Sequence, residues 1–116
     1  DDIIIVVMLE TPRAINNIEE IASVSGIDVL LVGTNDLCME MGIPGEFNHN
    51  DVREAYKKVI QACNNNNILP GMGGVYDETL MHEYIDLGMK FILSGSDLSF
   101  LVKGAEDRLN NLKNKG

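Results

Sequence analysis

The sequence has 116 residues, 45% of them hydrophobic, with a formal net charge of -9 and a mean hydropathy of +0.00. That length suits one domain with a modest core, and the acidic balance argues against nucleic acid and anionic membranes as partners, because binding phosphate needs a Lys/Arg surplus. The longest apolar run, Ile3 to Leu9, is too short to span a bilayer and lacks the basic flank and cleavage site of a signal peptide, so a cytoplasmic protein is expected.

That first run is continuous and rich in β-branched residues, which predicts a strand buried on both faces. It starts close to Asp1 with no initiator Met, which suggests a piece of something longer. Thr11 can cap a helix and Pro12 suits its first position. Ile15, Ile18, Ile21 and Ala22 supply the apolar stripe of that helix, and Ser25-Gly26 ends it. Ile27 to Val32 predicts a second buried strand, closed by Gly33. A short helical turn is expected from Asn35 to Met41. Asn50 can cap the next helix, whose stripe is Val52, Ala55, Tyr56, Val59, Ile60 and Cys63. The run Asn64 to Asn67 reads as the loop that stops it.

Ile68 to Gly74 predicts a weaker strand, since Pro70, Gly71, Gly73 and Gly74 disfavour regular pairing or mark close approach to a ligand. Asp77 can cap a third helix carrying Leu80, Met81, Tyr84 and Ile85, ended by Gly88. Phe91 to Leu93 predicts the fourth strand. The last helix is expected from about Leu98 through Leu101, Ala105, Leu109 and Leu112 to a frayed Lys/Asn/Gly tail. Cys38 and Cys63 match no zinc or disulfide spacing and are expected as buried reduced thiols.

Strands alternating with amphipathic helices imply right-handed βαβ units and a parallel sheet, hence the α/β class. Four units are half of a (β/α)8 TIM barrel, which needs roughly 250 residues. A small doubly wound sheet with helices on both faces is the competing fold. In either case chemistry is expected at the carboxyl ends of the strands.

Glu10 follows the first strand and Gly33-Thr34-Asn35-Asp36 the second. Adjacent parallel strands lie about 4.8 Å apart, which would set the two carboxylates side by side. Ionised carboxylates that close repel, and a divalent cation relieves this while taking its other ligands from water and substrate. The plainer alternatives are that Glu10 serves a helix amino terminus and that Asp36 caps a turn. Gly33 to Asp36 also has the form of an anion nest, in which a glycine turn entering a helix presents backbone N–H groups.

Taken together, Met8-Leu9-Glu10-Thr11, Asn17-Ile18-Glu19-Glu20-Ile21, Gly26-Ile27-Asp28, Gly33-Thr34-Asn35-Asp36-Leu37, Met41-Gly42 and Ser94-Gly95-Ser96-Asp97 resemble the HpcH/HpaI aldolase and citrate lyase beta subunit family. The resemblance implies the carboxyl-terminal half of a (β/α)8 barrel over residues 1–116, about its last four βα units. It implies a class II pyruvate aldolase, a carbon–carbon lyase that reversibly cleaves a 4-hydroxy-2-oxo acid to pyruvate and an aldehyde through a metal-stabilised enolate. Glu10 and Asp36 match the metal ligands, with Mg²⁺, Mn²⁺ and Co²⁺ all open. Gly33, Thr34, Asn35 and Asp36 match the substrate-binding loop, where backbone amides hold a carboxylate. Many relatives have Pro where this chain has Thr34.

The family's basic His and pyruvate-binding Arg come from the other barrel half, so no catalytic residue is assigned in this chain. The partners implied are a small oxo acid, the missing half and further copies in a homo-oligomer. His82 is expected on a helix surface, His49 near the rim, and Arg13, Lys57, Lys58, Lys90 and Lys103 as solvated charges. The aldehyde partner stays open, acyl-CoA-linked substrates included. The alternative function is a non-catalytic half-barrel or assembly module, since an open half barrel leaves two apolar edges that invite pairing.

Overall fold

The computed structural model describes residues 2–114. Four parallel strands, β1 (Val6–Leu9), β2 (Val29–Gly33), β3 (Leu69–Gly73) and β4 (Phe91–Ile92), lie in the order β1-β2-β3-β4. The helices between them are α1 (Pro12–Asn16), α2 (Ile18–Ala22), α3 (Thr34–Glu40), α4 (Asn50–Asn65) and α5 (Glu78–Leu87), and α6 (Asp97–Lys113) follows β4.

Sequential order decides between the two expected folds. Right-handed crossovers that always step the same way place every helix on one face. On that face Leu9, Leu30, Val32 and Met72 join one apolar core with Val52, Tyr56, Val59 and Cys63 of α4. The other face is open at its edges: Val6, Met8, Leu69 and Leu93 are all exposed. Val29 and Leu31 are buried there, and their methyls would crowd a Cβ at Gly71, at 3.2 Å and 3.0 Å. A doubly wound sheet would cover both faces, so that alternative is excluded for the described residues.

This open face also corrects the expectation for the first strand. Pairing begins at Val6 rather than Ile3, and Ile3, Ile4 and Ile5 are exposed. Within β1 only Leu9 is fully buried. β2 is the strand buried along its length, because it alone is flanked by two well-paired neighbours and a helix.

Other differences are local. The first helix breaks at Asn17, whose φ of -96° and ψ of 16° interrupt it between α1 and α2. Thr11 caps α1 through a 3.1 Å bond from Ala14 N–H to its Oγ1. α4 is capped by His49, not Asn50: His49 Nδ1 accepts from Asp51 N–H at 3.1 Å. Asn64 and Asn65 belong to α4 and the chain turns at Asn66-Asn67, where Asn67 takes a φ of 56° that Asn tolerates. Asp77 caps α5 as expected, accepting from Leu80 N–H. α6 starts at Asp97 behind a Ser96/Ser99 capping box, and none of its side chains is buried, including Leu101, Ala105, Leu109 and Leu112. Lys115 and Gly116, the end of the expected tail, lie outside the described residues. Among the described residues no helix is long and apolar enough to cross a membrane.

The core holds groups that resist ionisation. Cys38 and Cys63 are free and buried. Burial pushes the Cys63 thiol from its ordinary 9.0 up to about 11, and the Tyr84 phenol from 10.0 up to about 12 despite the opposing charge of Arg53. Both are acids whose folded-state values are raised, so the unfolded chain gives up their protons first. Their contribution to stability is complete below about pH 9 and is lost as pH climbs towards 11 and then 12. The urea midpoint is therefore expected to fall steadily above pH 9; a midpoint that stays level from pH 9 to 11 would contradict this.

Candidate functional site

Backbone register builds the site. β1 ends at Leu9, and Glu10 turns out of the strand before the Thr11-Pro12 start of α1 fixes the path of the chain. Beside it, β2 ends at Gly33 and passes without a loop into α3, so that Thr34, Asn35 and Asp36 form the first turn of that helix. Gly33 pairs with Gly73 at the end of β3. Glu10 and Asp36 consequently line one cavity of about 170 Å³ at the carboxyl ends of the strands, on the open face. Gly73, the last residue of β3, and Gly74 just after it also line it.

Among the candidate site residues, Glu10, Gly33, Thr34, Asn35 and Asp36 are thus brought together. Glu10 is half-buried and lies against Gly33; Asn35 and Asp36 are exposed. Two carboxylates with open approach suit a divalent cation that keeps several water or substrate oxygens. Among the described residues no group of three or more His, Cys, Asp or Glu gathers, so the protein ligands offered here are this pair. Asp36 also lies in the first turn of α3, where the helix dipole favours its charge. The N–H groups of that first turn have no partner within the helix.

Thr34 divides into two parts. Its backbone belongs to the site, but its side chain is fully buried behind it. The Thr34 and Tyr56 hydroxyls are 2.5 Å apart, and Thr34 Oγ1 is 3.4 Å from the Val32 carbonyl, to which it donates. Tyr56 in turn stacks on Tyr84 with ring centroids 4.1 Å apart, and the Tyr84 hydroxyl donates to the Phe47 carbonyl at 2.5 Å. The Arg53 guanidinium lies 5.5 Å above the Tyr84 ring and pairs with Glu83. The phenol of Tyr56 is held protonated by burial. A polar strut thus runs from the outer helices to the back of the loop. The apolar stripe shows Tyr56 as a core residue; the clue to its second role is a hydroxyl at a fully buried stripe position, which needs a partner.

Met8, Leu31 and Leu93 give the cavity an apolar wall that the sequence pattern did not point to, because the strands read as buried on both faces. Other candidates lie elsewhere. His49 is committed to capping α4, and His82 is exposed on α5 as expected. Arg13 is exposed in α1, and Lys103 pairs with Asp107 on α6. Ser94, Gly95 and Ser96 border a neighbouring cavity with Tyr76 and Phe100.

The HpcH/HpaI aldolase/citrate lyase family model matches residues 1–104. The chain is 40% identical over 105 residues to a 4-hydroxy-4-methyl-2-oxoglutarate aldolase of Chaetomium globosum, covering 89% of this chain and 39% of that protein. It is 33% identical over 106 residues to a 4-hydroxy-2-oxo-heptane-1,7-dioate aldolase of Klebsiella pneumoniae, covering 91% of this chain and 40% of the relative. Among solved structures, an HpcH/HpaI aldolase/citrate lyase family protein of Burkholderia cenocepacia superposes with a TM-score of 0.86 at 27% identity, over 97% of this chain and 43% of that one. An HpcH/HpaI aldolase from Desulfitobacterium hafniense gives 0.82 at 26%, over 99% and 44%. The chain therefore spans about two fifths of the length of the proteins it matches.

Proposed function

Because the chain belongs to the HpcH/HpaI aldolase/citrate lyase family, we propose that residues 1–116 are the carboxyl-terminal half of a (β/α)8-barrel aldolase. In this reading the whole enzyme cleaves a 4-hydroxy-2-oxo acid to pyruvate and an aldehyde, as the names of its relatives suggest. The observation that carries it is the cavity shared by Glu10 and Asp36 at consecutive strand ends.

Glu10 and Asp36 would hold the divalent ion, Mg²⁺, Mn²⁺ or Co²⁺, and the fit rests on two carboxylates lining one openly approached cavity. When bound, the ion supplies Lewis-acid stabilisation of the charge that develops on the oxo acid. The chain's own groups do the rest. Backbone N–H groups of the Gly33–Asp36 turn receive the substrate carboxylate, aimed by the strand that leads into them. The buried Thr34 hydroxyl fixes the turn from behind. Met8, Leu31 and Leu93 make one wall apolar, and charge interactions beside it would strengthen once the other half of the barrel covers it. The proton-transferring base and a cation for pyruvate belong to the half of the barrel outside this chain, and assembly into a homo-oligomer is part of the proposal.

The competing reading, a half barrel that assembles without catalysing, draws on the open lateral edges of β1 and β4. Turnover separates the two. The full-length protein is expected to release pyruvate from a 4-hydroxy-2-oxo acid with Mn²⁺ or Co²⁺ and to stop in chelator. Metal binding without any turnover across a panel of such acids would favour the assembly module.

A further inference from the structure

Gly33 is glycine for a reason its backbone does not supply. Its φ of -80° and ψ of 85° suit residues with side chains. Gly26, Gly42 and Gly45 are the reverse case: their φ values of 93°, 75° and 78° lie in the left-handed region, and nothing stands within 4 Å of a Cβ built on them. At Gly33 the constraint is space, and one side chain takes it. A Cβ there would meet Glu10 Cγ at 2.8 Å, Oε1 at 3.1 Å and Cδ at 3.4 Å. The Glu10 side chain therefore lies across the face of Gly33, in the volume that any larger residue would fill.

We propose that Gly33 is a positioning residue, whose missing side chain forms the seat that holds the Glu10 carboxylate over the end of β2, beside Asp36. The inference rests on the metal reading above. It assigns Gly33 a role separate from any contact its amide makes to substrate. Glu10 is only half-buried and has rotatable bonds on the cavity side. An added methyl is accommodated by swinging the carboxylate away rather than by unfolding the strand. The cost falls on the geometry of the pair, since a ligand displaced by an ångström no longer shares an ion with its neighbour.

The test uses Mn²⁺ alone, titrated calorimetrically into the full-length chain. Gly33→Ala is expected to bind Mn²⁺ at least about tenfold more weakly, while its melting temperature in chelator stays close to the parent's. Gly104→Ala, on α6 with nothing within 4 Å of an added Cβ, is the control and is expected to leave Mn²⁺ affinity unchanged. Parent-like affinity in Gly33→Ala, with affinity lost in Glu10→Gln, would overturn the inference and leave the metal site standing. Parent-like affinity in Glu10→Gln as well would remove both. If Gly33→Ala does not fold, recovery of folding in Glu10→Ala/Gly33→Ala supports the contact, and failure to recover overturns it.

Discussion

Glu10→Gln and Asp36→Asn are each expected to lower Mn²⁺ affinity and pyruvate release by about 100-fold or more, because removing a residue that merely orients a ligand already costs 10–100-fold. Both substitutions keep the size of the side chain and remove its charge. Neither carboxylate is fully buried, so a collapse of the fold is not expected: exposed substitutions typically change stability by less than about 0.5 kcal/mol. The sign in metal-free protein is informative. Two carboxylates sharing one cavity repel, so Glu10→Gln should leave the apo melting temperature level or raise it, whereas Asp36→Asn also forgoes the favourable α3 dipole and gains less. Added Mn²⁺ should then raise the melting temperature of the parent and not of the variants. Calorimetric titration showing parent-like affinity in both variants would reject the assignment.

The second large effect is expected at Tyr56. Its ring is fully buried against Tyr84, and truncating an aromatic residue in such a place costs about 3–5 kcal/mol. Tyr56→Ala is therefore expected to be unfolded or nearly so at physiological temperature, given that whole domains are stable by only about 5–15 kcal/mol. Tyr56→Phe is the sharper probe. It keeps the ring and strips the partner from the buried Thr34 hydroxyl, which retains a 3.4 Å bond to the Val32 carbonyl. A cost of about 1–3 kcal/mol is expected from that half-satisfied group. The turn that carries Asn35 and Asp36 loses its brace, so the apparent KM for the oxo acid should rise. Denaturation by urea gives the first quantity and steady-state kinetics the second. Unchanged stability in Tyr56→Phe would mean the two hydroxyls contribute nothing to each other.

Much of this was legible in the residues themselves. Glu10 and the Gly33–Asp36 turn stand where two β-branched runs end, and strand ends are where α/β proteins keep their chemistry, so position alone raised them. The stripe of α4 was equally plain: each of Val52, Ala55, Tyr56, Val59, Ile60 and Cys63 is buried. What hid was anything set by the neighbours of an element. A run such as Ile3 to Leu9 looks the same whether both its faces are covered or one is open, because periodicity records no partner. The same holds for α6, whose leucines repeat at helical spacing yet touch no core. His49 displaced Asn50 as the α4 cap because the helix begins at Asn50, one residue earlier than an Asn50 cap would start it, and imidazole nitrogen accepts a backbone N–H as a carboxamide oxygen would. The Thr34–Tyr56 bond joins positions 22 residues apart and leaves no local trace.

The strand order has a consequence for how the chain acquires its shape. Each strand pairs with the next one in sequence, and no register exceeds the reach from Val29 to Leu69 or Gly33 to Gly73. Closing a segment of that size carries an entropy that grows only with the logarithm of its length. Ordering can thus proceed strand by strand, each parallel pair closing over its own helical crossover before the next is begun, a slower step than zipping a hairpin. Glu10 and Asp36 follow the ends of the first pair, so closing β1 on β2 brings both to the same end of the sheet.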